Sequence, residues 1–205
     1  HAMQMALDLE EVNDAYYGGL GVVGPYGLLG EGTGGFYTPF EEWPEELLGY
    51  YTYNPEGAEA LLDEAGYPRG ADGIRFKTFL NEPGADSDMD MNIIATTYWA
   101  EIGVDVEIKP PGDNATWVAM RTNNEFEGLI SGGGGRNGNA MGLMGALLHS
   151  KGTYNFSGIS DAEFDALYDA AAAATTQEER ESLGQEAALR SIWLHSSLWF
   201  LKVPT

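Results

Sequence analysis

The feature that most narrows the fold is the order of periodicities between Tyr53 and Asn139: a capped helix, then strand, helix, strand, helix, strand and a glycine run. Asn54 is placed to cap a helix beginning at Pro55, where a missing N–H costs nothing and φ is already helical. Ala58, Leu61, Leu62 and Ala65 fall at i, i+3, i+4 and i+7 and mark one apolar face. Gly66 suits the left-handed position after the last turn, Tyr67 folds back onto that turn, and Pro68 prevents continuation. From Ile74 to Leu80 the residues alternate with a period of two, which predicts a strand. A helix is expected from about Asp86 to Ile102, with Ile94, Ala95, Tyr98, Trp99 and Ile102 at helical spacing and Gly103 closing it. Val104, Val106 and Ile108 make a second strand, stopped by Pro110 and Pro111. A short helix from about Asn114 to Asn123 carries Trp117, read as core, and Phe126 to Ser131 gives a third strand.

Two consecutive strand-helix-strand units imply parallel neighbours with right-handed crossovers. The fold class is therefore α/β, a mainly parallel sheet flanked by helices in a three-layer arrangement. Loops leaving the carboxyl ends of such strands share one edge, where ligands usually sit. Here they are Asn81 to Asp86, Pro110 to Asn114 and Gly132 to Asn139. The candidate ligand-binding residues are Asn81, Glu82, Asp113, Gly133, Gly134, Arg136, Asn137 and Asn139, with Asn81, Asp113 and Arg136 expected on a common rim.

Residues 140–205 read as a helical part. Met141 to Leu148 predicts one short helix. Ser160 with Glu163 forms a capping box before Phe164, Leu167, Tyr168 and Ala171, and Thr176 with Glu179 forms another, opening a helix to about Trp193. Leu198 to Val203 is apolar enough for a final strand. Residues 18–53 form an irregular glycine- and aromatic-rich segment. Its Tyr26, Phe36, Tyr37, Phe40 and Trp43 either stack on a sugar or peptide or pack onto the domain, and packing is the favoured reading for most of them.

Composition excludes several function classes. A length of 205 residues with 43% hydrophobic content supports a buried core. No apolar run approaches the length of a membrane span. The absence of cysteine rules out disulfides and cysteine-based metal sites or nucleophiles. With 32 acidic against 10 basic residues, the net charge of −22 repels nucleic acid and anionic headgroups. The bland account of that charge is a solubilising surface; the functional one is a field that attracts cationic solutes.

Gly132 to Arg136 follows a strand, as phosphate loops do, but lacks the Lys-Ser or Lys-Thr of a P-loop. It reads either as a turn permitting positive φ or as a close backbone approach to a ligand. His149 and His195 have no companion at metal-ligand spacing, and Ser150, Ser157 and Ser196 lack a nucleophile-elbow setting. No cofactor or metal is expected, and no catalytic residue can be assigned.

The run from Tyr53 to Pro68, reading YNPEGAEALLDEAGYP, resembles the "Y-D-P-x-x-A-x-x-L-L-x-E-A-G-Y-P" stretch of family 5 extracellular solute-binding proteins, the peptide and nickel class of ABC importers. Ala6 to Gly19 resembles that family's helix before a glycine-rich loop, Trp99 to Val106 its helix-to-strand junction, and Phe164 to Leu167 its "F-D-x-L" helix. The resemblance implies a periplasmic-binding-protein type II lobe, extending over residues 4–205, that captures a peptide, oligosaccharide or similar small solute. His1 to Met3 reads as the scar of a cloning tag. The implied partners are the solute, the missing first lobe of the same protein and an ABC-transporter permease. No nucleic acid and no membrane insertion of this segment are implied. The implied location is extracellular or periplasmic, with a lipid anchor possible in a longer protein. Peptide-binding members commonly carry an Asp after the third strand that pairs with the peptide amino terminus. Here amides and Arg136 stand instead, so Arg136 suits a carboxylate or phosphate, and Asn137 and Asn139 suit hydroxyls. Two other classes remain open: a hydrolase using the Gly132 to Arg136 loop, and an interaction domain without a pocket.

Overall fold

In the computed structural model, the residues described are 1–21, 29–83, 89–110, 112–131, 139–195 and 197–200. In chain order they form helices α1 (Ala2–Met5), α2 (Leu9–Tyr17), α3 (Glu45–Gly49) and α4 (Pro55–Glu64), strand β1 (Phe76–Asn81), helix α5 (Met89–Glu101), strand β2 (Val104–Lys109), helix α6 (Asn114–Asn123), strand β3 (Leu129–Ile130), and helices α7 (Ala140–Leu147), α8 (Ala162–Ala173) and α9 (Gln177–Leu194). Short 3-10 turns cover Glu31–Phe36 and Phe40–Glu42. The chain divides into two compact units, one from His1–Gly19 and Gly49–Gly133, the other from Leu20–Leu48 and Gly134–Thr205.

The first unit holds the sheet. Asn54 caps α4 by accepting the Gly57 N–H at 2.8 Å. At the other end Gly66 takes φ +87°, and the amides of Gly66 and Tyr67 reach back to the carbonyls of Asp63 and Leu62. That closure satisfies two end carbonyls and turns the chain toward β1. All three strands are parallel, in the order β2-β1-β3. The β1–β2 register runs from Phe76 opposite Val104 to Asn81 opposite Lys109.

The third strand is shorter than the expected Phe126 to Ser131. Gly128 sits at φ +76°, outside extended backbone, so pairing is confined to Leu80 with Leu129 and Asn81 with Ile130. The Asn81 side chain compensates by donating from Nδ2 to the carbonyls of Glu127 and Leu129, both at 2.8 Å. The buried face of α5 keeps the expected Ala95 and Trp99, and Ile102 just past the helix is buried as well. Met91, Asn92, Ala95 and Trp99 are buried, whereas Ile94 and Tyr98 are half-buried.

The first three residues pack within the first unit. Residues 2–5 are helical, the Met3 carbonyl accepts the Trp99 indole N–H at 2.8 Å, and the His1 ring stacks on Tyr50.

The second unit is mainly helical. Its core gathers Leu29, Ala140, Met144, Phe164, Ala187 and Ala188, with Phe36, Leu167 and Tyr168 packed against them. Thr176 caps α9 as expected, accepting the Glu179 N–H at 3.2 Å. The cap of α8 lies one residue later than the Ser160 box implied: Asp161 accepts the Phe164 N–H at 2.7 Å and also pairs with Arg190 at 2.8 Å. A carboxylate that answers both an N-terminal amide and a guanidinium outcompetes a hydroxyl there. Trp43 is buried and donates its indole N–H to the Thr38 carbonyl at 3.0 Å, so this aromatic of the irregular segment packs. Residues 197–200 form no strand, and the rest of the expected Leu198 to Val203 strand lies outside the described residues.

Candidate functional site

Parallel strands bring the carboxyl ends of β1 and β2 to one edge of the first unit, with Asn81 closing β1 and Asp113 following β2. There the polar side chains are engaged with one another and with backbone. Asn81 is buried and spans β1 to β3 through the two carbonyl bonds described above. Glu82 is fully buried, its amide donates to the Lys109 carbonyl at 3.0 Å, and its carboxylate accepts from Asn92 Nδ2. Asn92 Nδ2 also lies 3.4 Å from Ser131 Oγ. The end of β1, the start of α5 and the end of β3 are thereby tied into one polar cluster. Asn92 was missed in the sequence because it falls on an apolar helical face, and a lone amide among apolar residues is the signal that could have found it.

Asp113 is exposed and caps α6, accepting the Thr116 N–H at 2.7 Å, and that backbone bond holds its carboxyl below the usual aspartate range. On α6, Trp117 is buried and the guanidinium of Arg121, in the last turn, lies 5.1 Å from its ring. Lys109 stacks over Phe79 with Nζ 3.0 Å from the ring centre, a second cation held on an aromatic face.

Gly133, Gly134, Arg136 and Asn137 lie outside the described residues, as does the glycine loop that contains them. Of the rim expected for Asn81, Asp113 and Arg136, Asn81 ends β1, Asp113 caps α6 after β2, and Arg136 lies outside the described residues. Asn139, at the end of that loop, belongs to the second unit. It caps α7 by accepting the N–H groups of Met141 at 3.0 Å and Gly142 at 3.4 Å.

Within the second unit Asn139 lines an open groove of about 420 Å³ with Phe36, Met141, Ala172, Gln177 and Arg180. A smaller apolar cavity of about 20 Å³ lies among Leu29, Phe36, Trp43, Met144 and Ile192. Among the described residues no group of three or more His, Asp or Glu could hold a metal ion. His149 is buried, and its Nδ1 accepts the Lys151 N–H at 3.0 Å, a structural bond. Ser150 Oγ donates to Asp165, and Ser157 Oγ to Asn155. No helix among the described residues is long and apolar enough to cross a membrane.

A parallel three-stranded sheet flanked by helices defines a fold of the periplasmic-binding-protein type II kind. The chain belongs to the bacterial extracellular solute-binding proteins of family 5, whose middle-region model matches residues 1–155. It is similar to heme-binding protein A of Haemophilus influenzae, with 29% identity over 192 residues that make up 91% of this chain and 32% of the relative. The solved structure of HbpA2 from Haemophilus parasuis superposes with a TM-score of 0.80 at 27% identity, over 98% of this chain and 38% of that one. The murein tripeptide-binding protein MppA of Escherichia coli shares the fold, with a TM-score of 0.75 at 20% identity and the same coverage of 98% and 38%. The chain therefore spans between about a third and two fifths of the length of these relatives. The family's members are solute-binding proteins that are periplasmic or extracellular.

Proposed function

We propose that this chain supplies one ligand-binding lobe of an extracellular or periplasmic receptor, which captures a small solute and delivers it to an ABC-transporter permease. The single observation that carries the reading is the family match over residues 1–155, reinforced by a fold shared with binding proteins for solutes as different as heme and a murein tripeptide. No covalent step is required. A solute held between two lobes gains affinity from desolvation and closure, and this lobe contributes polar contacts from the loops at its strand ends. Asn81, Glu82 and Asp113 fix the ends of those loops. Direct contacts with the solute fall to the Gly132 to Asn139 loop, with Gly133 and Gly134 allowing close backbone approach and Arg136, Asn137 and Asn139 offering donors. The missing first lobe completes the receptor, and a lipid anchor elsewhere in the longer protein would hold it at the membrane.

The loop carries no acid to meet a peptide amino terminus, which favours solutes recognised through carboxylates or hydroxyls. Binding to the folded state alone raises the unfolding temperature by mass action. The two-lobed receptor carrying this chain should show such a rise with at least one of heme, a murein tripeptide, an oligosaccharide or a metal chelate. No shift across the whole panel would remove the transport reading, and turnover of esters or glycosides lost in Arg136→Ala would replace it with the hydrolase.

A further inference from the structure

We propose that the groove between Phe36, Asn139, Met141, Ala172, Gln177 and Arg180 is a subsite for the carboxylate end of an amphipathic ligand, with Arg180 as its counter-ion. The idea deepens the receptor reading by naming the ligand's chemistry, and it starts from an imbalance of charge. Acidic residues outnumber basic ones 32 to 10, and the described arginines other than Arg180 are engaged by carboxylates or, for Arg121, by an aromatic face. Arg69, Arg75 and Arg190 each pair with carboxylates. Arg180 forms no ion pair among the described residues. Its one hydrogen bond goes from Nη2 to the Ala174 carbonyl at 3.1 Å. That bond anchors the guanidinium and leaves the remaining donors of the fork for a carboxylate, which they match in geometry.

The rest of the groove suits such a ligand. Its volume falls within the ~300–1,000 Å³ common for small-molecule sites. Phe36, Met141 and Ala172 offer an apolar lining for the ligand body. Phe36 is held close to α9 because residue 184 is glycine: a Cβ there would lie 2.5 Å from Phe36 Cδ1. Asn139 spends its side-chain oxygen on capping α7 and keeps its amide donors for the ligand. Gln177 contributes less, since its amide already donates to Glu181 at 2.7 Å. The negative field of the whole chain opposes an anion at long range, but exposed charges beyond about 10 Å are largely screened at physiological salt, so the short-range contact with Arg180 dominates.

The test titrates the 205-residue chain with 4-phenylbutyrate and with its neutral amide, following binding by NMR chemical shifts. The carboxylate should bind about tenfold more tightly than the amide, the scale of a charge-assisted hydrogen bond. Arg180→Gln should abolish that preference and Arg180→Lys should retain part of it, while Phe36→Ala should weaken both probes alike. Equal affinity for the two probes, no binding of either, or a preference that survives Arg180→Gln would overturn the proposal. A melting curve of each variant confirms that it is folded. A carboxylate preference in the chain without any ligand-dependent shift in the two-lobed receptor would leave the groove standing and remove the transport reading; the converse pair of results would do the opposite.

Discussion

The two compact units use their cations differently. In the first, the Arg75 side chain is 2% exposed and is surrounded by acceptors: Glu59 at 2.9 Å, Asp63, and the carbonyls of Tyr67 at 2.7 Å and Ile102 at 3.0 Å. Arg69 grips the same Glu59 through two nitrogens and adds the carbonyls of Gly73 and Glu101. These two side chains tie α4 to the turn between α5 and β2. Among the described residues the second unit pairs Arg190 with Asp161 and Glu163, and beside its groove Arg180 donates to the Ala174 carbonyl without an ion pair. A cation whose donors are all answered within the fold stabilises the fold, and a cation left with free donors is where recognition has room to act.

The largest effect expected from this contrast is in the first unit. Arg75→Met should destabilise the chain by roughly 3 kcal/mol, near the lower end for breaking a buried ion pair because Glu59 and Asp63 keep access to water. The midpoint of a urea unfolding curve measures it, and an unchanged midpoint would mean that the arginine cluster does little for stability. The same cluster has a pH signature. Hydrogen bonds from Arg69 and Arg75 hold the Glu59 carboxyl down at about 2. A depressed folded pKa stabilises above the unfolded value and loses that contribution as pH falls through the folded one. Glu59→Gln should therefore flatten the loss of stability between the ordinary glutamate range and pH 2, while lowering stability at neutral pH.

A second, smaller effect separates fold from recognition at the sheet edge. Asn81→Ala removes two bonds to the carbonyls of Glu127 and Leu129 and leaves both acceptors unmet, for a cost of about 2 kcal/mol. If Asn81 served mainly to touch a solute, thermal unfolding of the free chain would scarcely change. Asp113→Ala tests the neighbouring position with a smaller expected loss, because it uncaps α6 at an exposed site. Asp113→Asn should keep the cap and remove the part of acid sensitivity that comes from the depressed carboxyl, whose stabilisation is present above the ordinary aspartate range and fades as pH falls below it.

These positions also show what a sequence can and cannot display. The Asn54 cap, the Gly66 turn, the strand-helix-strand order and the Thr176 cap were legible because each is a local rule acting over a few residues. The Ser160 box failed by one residue because Asp161 also meets Arg190, a contact 29 residues away that no local pattern reveals. The polar cluster at the strand edge hid for the same reason, since the Asn81 amide reaches a carbonyl 48 residues downstream and Asn92 lies in an apolar stripe. Position at the carboxyl end of a strand singled out Asn81 and Glu82 as candidate ligand contacts. It could not show that their hydrogen-bonding groups were already engaged. Arg180 went unnoticed because a single arginine at the start of a helix looks like any solvated residue until its lack of a carboxylate partner is visible in three dimensions.

The smallest effect on stability is expected where the effect on binding is largest. Arg180→Gln should change the unfolding free energy by no more than about 0.5 kcal/mol, as for ordinary surface substitutions, because it gives up one bond to the Ala174 carbonyl that glutamine can partly replace. Arg190→Gln, in the same unit, should cost more, since it releases Asp161 and Glu163 together. Comparing the two by chemical denaturation is a direct measure of the difference between an arginine the fold uses and one it leaves available. Equal losses would mean that Arg180 is as structural as Arg190, and the distinction between the two kinds of cation would fail within the second unit itself.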